Sequence, residues 1–83
     1  MEDLTHSQPG YVRPLSAVQA GTTVRIQAVK AGRGLARRLA AMGLLPDVEV
    51  TVLRHQPGGP TMISARGTKV ILGRGVADKV MVY

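Results

Sequence analysis

Near the middle of the chain, the spacing of apolar residues changes from that of a helix to that of a strand. Leu35, Leu39 and Met42 recur at intervals of four and three residues, which predicts an amphipathic helix with one apolar face. Gly43 comes next, where a glycine can end a helix in the left-handed conformation, and Pro46 prevents the helix from continuing. We therefore expect one short helix that begins at Leu35 and ends at Gly43.

From residue 48 onwards the period is two. Val48, Val50 and Val52 fall on one side and alternate with Glu49, Thr51 and Leu53. This alternation is typical of a strand that covers a core with one of its faces. We predict this strand over residues 47–55.

Four further strands are predicted over residues 22–30, 61–65, 68–72 and 80–82. Arg66 and Gly67 form a tight reversal between two of them, with Gly67 supplying a positive φ. Residues 73–78 are expected to be a single-turn connector. Five short strands with one helix between the first and the second predict a mainly β fold. We expect a small, strongly bent antiparallel barrel, closed so that its edges are not exposed.

Residues 1–13 contain Ser, Gln, Pro and Gly without an apolar period, so we predict a flexible tail followed by one domain over residues 14–83. A domain of this size does not favour a deep catalytic cleft. The chain has no cysteine, which suits a reducing cytoplasm. Its longest apolar run, residues 39–45, is far shorter than the ~20 residues of a spanning helix, so no membrane insertion is expected.

Charge is distributed unevenly along the chain. The formal net charge is +6, and no acidic residue occurs between Asp3 and Asp47. This imbalance indicates an anionic partner, which can be a nucleic acid, a membrane surface or an acidic protein face, or else only a basic soluble surface. If the helix begins at Leu35, Arg37 lies in its first turn, where the helix dipole disfavours a cation. The basic residues within the gap are Arg13, Arg25, Lys30, Arg33, Arg37 and Arg38.

The sequence offers little for catalysis, with two histidines, five acidic residues and no cysteine. The Gly-Arg-Gly sequences at residues 32–34 and 73–75 lack the spacing and the lysine of a phosphate-binding loop. We expect their glycines to serve turns and close backbone approach. The chain is therefore predicted to be no enzyme and to bind no nucleotide of its own.

Two sets of residues are candidate metal ligands. Asp47, Glu49 and His55 share one strand face, but Asp47 and His55 are eight residues apart, or roughly 26 Å, too far for one ion. The alternative is that these side chains are simply solvated. No cofactor is expected to be required, and weak binding of Fe²⁺ or adventitious Zn²⁺ stays open. The second set lies in the N-terminal segment, at Glu2, Asp3 and His6.

Several sequence pieces together resemble the bacterial ferrous-iron transport protein A (FeoA) family, over residues 14–83. They are Leu15 with Gly21, RLAAMGLLP at 38–46, GGP at 58–60 and ARGTKVILGRGVADKVMV at 65–82. The family usually has a glycine after the proline, where this chain has Asp47. The resemblance implies a small SH3-like barrel. The same fold is similar to the C-terminal module of metal-dependent transcriptional regulators.

The resemblance further implies a cytoplasmic accessory protein of ferrous-iron uptake that binds or regulates the membrane GTPase transporter FeoB, which recruits it to the inner face of the membrane. GTP would then be the partner's ligand. Two alternatives stay open: a basic small barrel that binds nucleic acid, although its inner strands carry no aromatic residue for stacking, and a metal-responsive regulatory module. A homo-oligomer is also open. The residues predicted to bind the partner are Arg33, Arg37, Arg38 and Leu45; Arg38 can instead bond backbone carbonyls of the barrel.

Overall fold

The computed structural model describes residues 11–83, which form one sheet and two helices. All strand pairs in the sheet are antiparallel, and the strand order is β1-β6-β2-β3-β4-β5. The strands are β1 (Arg13–Pro14), β2 (Thr23–Val29), β3 (Glu49–His55), β4 (Thr61–Ala65), β5 (Thr68–Leu72) and β6 (Val80–Val82). A 3-10 turn covers Leu15–Ala17, helix α1 covers Arg33–Ala41, and the one-turn helix α2 covers Arg74–Ala77.

The mainly β fold with one short helix after the first long strand is confirmed, but the predicted number of strands is one too low. The additional strand is β1, in which Arg13 pairs with Val82 and Pro14 with Met81. A two-residue strand is too short to show a period of two, so the apolar pattern does not reveal it. Within residues 11–83, the structured part of the chain thus begins at Arg13.

The expectation of a closed barrel is wrong, because the sheet has two ends. β1 pairs only with β6 and β5 only with β4 among the described strands. The sheet bends instead at two irregularities in its pairing, between Ile26 and Ala28 in β2 and between Val52 and Arg54 in β3. Its ends need no closure since β1 has two residues and β5 carries Lys69, and a short or charged edge resists pairing with another chain.

One face of the sheet covers the apolar core, as the alternating strands predict. Val24 and Ile26 in β2, and Val50 and Val52 in β3, are buried, whereas Arg25, which lies between Val24 and Ile26, is exposed. Each such side chain stabilises the fold by about 1.5–3 kcal/mol relative to exposure. The other large apolar residues that are fully buried are Leu15, Val18, Leu39, Leu44, Ile63, Val80 and Val82.

Helix α1 begins at Arg33, two residues earlier than predicted, with Gly32 as its N-cap. Leu39 is buried in the core and Leu35 packs against it. Met42 lies on the predicted face, since it lines one cleft with Leu35 and Leu39, but it is 45% exposed rather than buried, because it is the C-cap and lies beyond the last helical turn. The earlier start also moves Arg37 out of the first turn, so the helix dipole does not disfavour it there.

The end of α1 confirms the role predicted for Gly43. This residue is left-handed, with φ +87°, and the amide of Leu44 donates to the carbonyl of Leu39 at 2.9 Å. Bonds of this kind satisfy the last carbonyls of a helix and fold the next residue back against it. Leu44 is accordingly buried in the core.

The turn between β4 and β5 is also as predicted, with Gly67 at φ +80° and Arg66 at φ +54°. Positive φ at both central residues is typical of a two-residue hairpin turn that matches strand twist. The prediction that the Gly-Arg-Gly glycines allow a close backbone approach is wrong. A Cβ atom built at any of these four glycines would have no atom of a non-adjacent part of the chain within 4 Å. Gly32 and Gly73 are instead the N-caps of α1 and α2. In residues 11–83, no helix is long and apolar enough to cross a membrane.

Candidate partner-binding site

An open groove of about 460 Å³ runs between α1 and the end of β2. We call it the α1–β2 groove. Helix α1 forms one wall, the last residues of β2 form the floor, and the segment that follows α1 completes the lining. The lining residues are Ala28, Val29, Arg33, Ala36, Arg37, Ala40, Leu44, Leu45 and Pro46.

Small side chains create the space. Ala36 and Ala40 lie one turn apart on α1, and Ala28 lies on β2. A methyl group at each of these positions leaves room that a leucine would fill. The buried Leu44 closes the groove at the core side, so its surface is mainly apolar.

Two arginines give this apolar groove a positive rim. Arg33 and Arg37 are exposed and lie four residues apart on α1, a rise of about 6 Å along the helix axis. Among residues 11–83, no acidic residue lines the groove. Leu45, which is 44% exposed, adds an accessible apolar side chain from the segment after the helix. The structure therefore brings together three of the four residues predicted to bind a partner.

The fourth predicted residue, Arg38, lies elsewhere. It lines a separate cleft of about 250 Å³ on another side of α1, together with Ile71 and Val76. Successive residues of a helix point about 100° apart, so Arg37 and Arg38 cannot share one narrow groove. The arginine that bonds a backbone carbonyl among residues 11–83 is Arg25, which donates to the carbonyl of Asp47, rather than Arg38.

A polar cluster formed by Arg25, Asp47 and Tyr83 fixes the end of the segment that carries Leu45. Asp47 is left-handed, with φ +72°, and its amide donates to the carbonyl of Ile26 at 2.7 Å. Nη1 of Arg25 donates to the carbonyl of Asp47 at 2.9 Å, and the hydroxyl of Tyr83 donates to Oδ1 of Asp47 at 3.1 Å. The hydrogen bond to this carboxylate, assisted by burial, raises the pKa of Tyr83.

Sequence reasoning missed the roles of Arg25 and Tyr83. The signal that was available is Asp47 itself, because aspartate tolerates the left-handed conformation that the family usually gives to a glycine. Its two partners come from β2 and from the residue after β6, far away in the sequence. Only the fold brings them together.

The candidate metal ligands among the described residues lie apart. Asp47 precedes β3 and accepts the bond from Tyr83, whereas His55 ends β3, where its Nδ1 lies 3.1 Å from Oγ1 of Thr61. Glu49 and Asp47 line a polar cleft of about 420 Å³ with Arg66. Residues 11–83 contain no group of three histidine, aspartate or glutamate side chains that could hold a metal ion. The other candidates lie outside the described residues: Glu2, Asp3 and His6.

Comparisons with known proteins agree with this architecture. The FeoA domain family matches residues 13–83. A candidate Fe(2+) transport protein A of Methanocaldococcus jannaschii is 38% identical over 69 residues, which is 83% of each chain. The crystal structure of an iron uptake regulatory protein (FeoA) is 35% identical, with a TM-score of 0.81, and the match covers 87% of this chain and 96% of that one.

The fold also occurs within a larger protein. A manganese-dependent transcriptional repressor in complex with manganese superimposes with a TM-score of 0.82 and 25% identity, covering 93% of this chain but only 38% of the repressor. The SH3-like fold expected from the resemblance is confirmed by these likenesses.

Proposed function

The chain belongs to the FeoA family, and from this membership we propose that it is a non-enzymatic, cytoplasmic accessory protein of Fe²⁺ transport. In this role it binds the cytoplasmic part of a FeoB-type membrane GTPase transporter, which recruits it to the inner face of the membrane. The transporter binds GTP, whereas the accessory chain binds the transporter.

The α1–β2 groove is the observation that supports a binding role. Of the described residues in its lining, the ionisable ones are all arginines, and a guanidinium is not deprotonated at neutral pH. Such a site suits recognition rather than acid–base catalysis. Arg33 and Arg37 attract an acidic surface and speed the encounter, while the exposed Leu45 provides an apolar anchor that slows dissociation.

The polar cluster supports the same role, because an anchor is useful only when its position is fixed. Leu45 lies between the buried Leu44 and Asp47, which the Arg25 and Tyr83 side chains hold. An exposed leucine whose chain is restrained on both sides within two residues loses little conformational entropy when it binds. Because of this restraint, Leu45 is better suited to anchor a partner than an exposed leucine in a mobile loop would be.

The experiment measures binding kinetics between the full chain and the soluble cytoplasmic part of the FeoB protein from the same organism. We expect R37E to slow association and to weaken its salt dependence, and L45D mainly to raise the dissociation rate. R38E is the matched control, since it makes the same charge change at the neighbouring residue but in the other cleft. Circular dichroism checks the folding of each variant.

The possible outcomes separate the alternatives. No binding by the wild-type chain removes the proposal. Wild-type kinetics for R37E and L45D, combined with weakened binding by R38E, would move the interface to the cleft beside Ile71. The role requires no bound cofactor, so a metal chelator should leave the affinity unchanged.

A further inference from the structure

We propose that the α1–β2 groove recognises an acidic amphipathic helix of the partner protein. The partner helix lies along α1, with two carboxylates one turn apart facing Arg33 and Arg37, and a large apolar side chain in the space that Ala28, Ala36 and Ala40 leave. The inference rests on the proposed function for the partner's identity, but the chemistry of recognition follows from the groove itself.

The spacing of the charges favours a helix. Arg33 and Arg37 repeat at i and i+4 on α1, about 6 Å apart along its axis, and both are exposed. Carboxylates at i and i+4 of a second helix repeat at the same interval. Two aligned helices can therefore form both ion pairs at once without distortion of either backbone.

The small side chains that α1 presents to the groove favour close contact between helices. Ala36 and Ala40 present only methyl groups, one turn apart, on the same wall as the two arginines. Packed helices lie 8–10 Å apart, and small residues at the contact permit the lower end of this range. Ala28 on β2 leaves further space, which a leucine-sized side chain of the partner can occupy.

Charge selects among possible occupants. A second copy of this chain would bring its own Arg33 and Arg37 against the same rim in a twofold contact, and the chain already carries a net charge of +6. A nucleic acid would meet an apolar floor with no aromatic residue on which a base can stack. The carboxylates of an acidic amphipathic helix can pair with the two arginines, and its apolar side chains can pack on the apolar lining of the groove.

The test uses the isotopically labelled full chain and a synthetic peptide of about 18 residues, long enough to be helical in isolation. The peptide carries Glu at i and i+4 and Leu at i+3 and i+7, so that acids and leucines lie on adjoining faces. Titration followed by NMR should shift the amides that line the groove. A peptide with Lys for both Glu, or with a central Pro, should bind at least about tenfold more weakly.

Variants of the chain locate the site. A36L fills the groove and should weaken peptide binding at least about tenfold, while A41L, at an exposed position outside the groove lining, should not. The double variant R33E/R37E provides a second route that does not depend on filling the groove. It should weaken binding of the Glu peptide and restore binding of the Lys peptide, a rescue that a merely unfolded variant cannot show.

Three results would overturn the inference: equal binding of the proline peptide, wild-type binding by A36L, or shifts confined to the cleft of Arg38 and Ile71. Failure here is distinguishable from failure of the proposed function. If the FeoB cytoplasmic part binds wild type and A36L alike, the helix inference falls and the accessory role stands. If the peptide behaves as expected but the FeoB part does not bind, the accessory role falls and the helix inference stands.

Discussion

The hydroxyl of Tyr83 donates a hydrogen bond to the carboxylate of Asp47, and this contact joins the residue after β6 to the turn after α1. The backbone of Tyr83 is itself held by two hydrogen bonds with Arg25, of 2.8 and 2.9 Å. Arg25 also donates from its side chain to the carbonyl of Asp47. The segment that completes the lining of the α1–β2 groove is thus positioned by Arg25 of β2 and by the residue after β6.

Substitutions at Asp47 should separate backbone strain from the side-chain bond. D47A combines a left-handed backbone with loss of the bond to Tyr83, and should lower the free energy of unfolding by about 1–2 kcal/mol. D47G relieves the strain and should lose less, while D47N keeps both features and should stay close to wild type. Thermal or urea unfolding measures the series, with E49A as a control at an exposed neighbour. Equal stability of D47A and wild type would contradict the assignment.

The pKa of Tyr83 should lie above its ordinary value of 10.0, chiefly because its hydroxyl donates to the Asp47 carboxylate. The folded state therefore favours the neutral phenol more strongly than the unfolded state does. The resulting stabilisation is fully present below pH 10 and is lost as the pH rises through the folded-state pKa.

Ultraviolet titration of tyrosinate measures this effect, with Y11F leaving Tyr83 as the only tyrosine. In the D47N background, the titration of Tyr83 should move back towards lower pH, because the amide that replaces the carboxylate still accepts the bond but carries no charge. An identical titration with and without D47N would show that the Asp47 carboxylate does not set the pKa of Tyr83.

Helix α1 should depend on Leu39 far more than on Arg38. L39A removes a side chain that is 2% exposed and should cost about 2–5 kcal/mol, a large part of the stability of so small a domain. R38A changes an exposed residue and should stay within about 0.5 kcal/mol. Thermal melts compare the two variants, and equal midpoints would mean that α1 does not pack on the sheet.

Nucleic-acid binding should be weak and should disappear as salt rises. Contacts between arginines and phosphates alone lose about 0.9 log units of affinity per log unit of salt for each duplex contact. A titration of the full chain with generic oligonucleotides, from low to physiological salt, measures this slope. Sub-micromolar affinity retained at physiological salt would favour the nucleic-acid alternative over a transporter partner.

The sequence predicts the long strands and the helix because each repeats its apolar residues often enough to define a period. β2 and β3 span seven residues each and bury Val24, Ile26, Val50 and Val52 as expected, whereas Val48 precedes β3 and is only half-buried. A two-residue strand such as β1 has no period to detect. Met42 fits the helical spacing but lies past the helix end, and the core position beyond it is taken by Leu44.

The candidate site could be predicted only in part. Its charged residues follow from the run of basic residues, so Arg33 and Arg37 are found from the sequence. The groove depends on Ala28 of β2 lying across from Ala36 and Ala40, a long-range contact that local spacing does not encode. For the same reason the sequence predicts that Arg38 binds the partner together with Arg33 and Arg37, whereas in the structure Arg38 faces another cleft.

The α1–β2 groove and the cleft of Arg38 leave both sides of α1 partly uncovered, which affects how easily the helix detaches from the sheet. Leu39 is the buried residue of the helix proper, and Leu44 holds the chain just after it, so little apolar surface opposes detachment of this element. The helix can open while the paired strands β2, β3 and β4 remain intact. Its amides should then exchange with deuterium sooner than those of the sheet, and a bound partner would protect them. Recognition would thus convert a helix that can open on its own into an ordered part of a larger assembly.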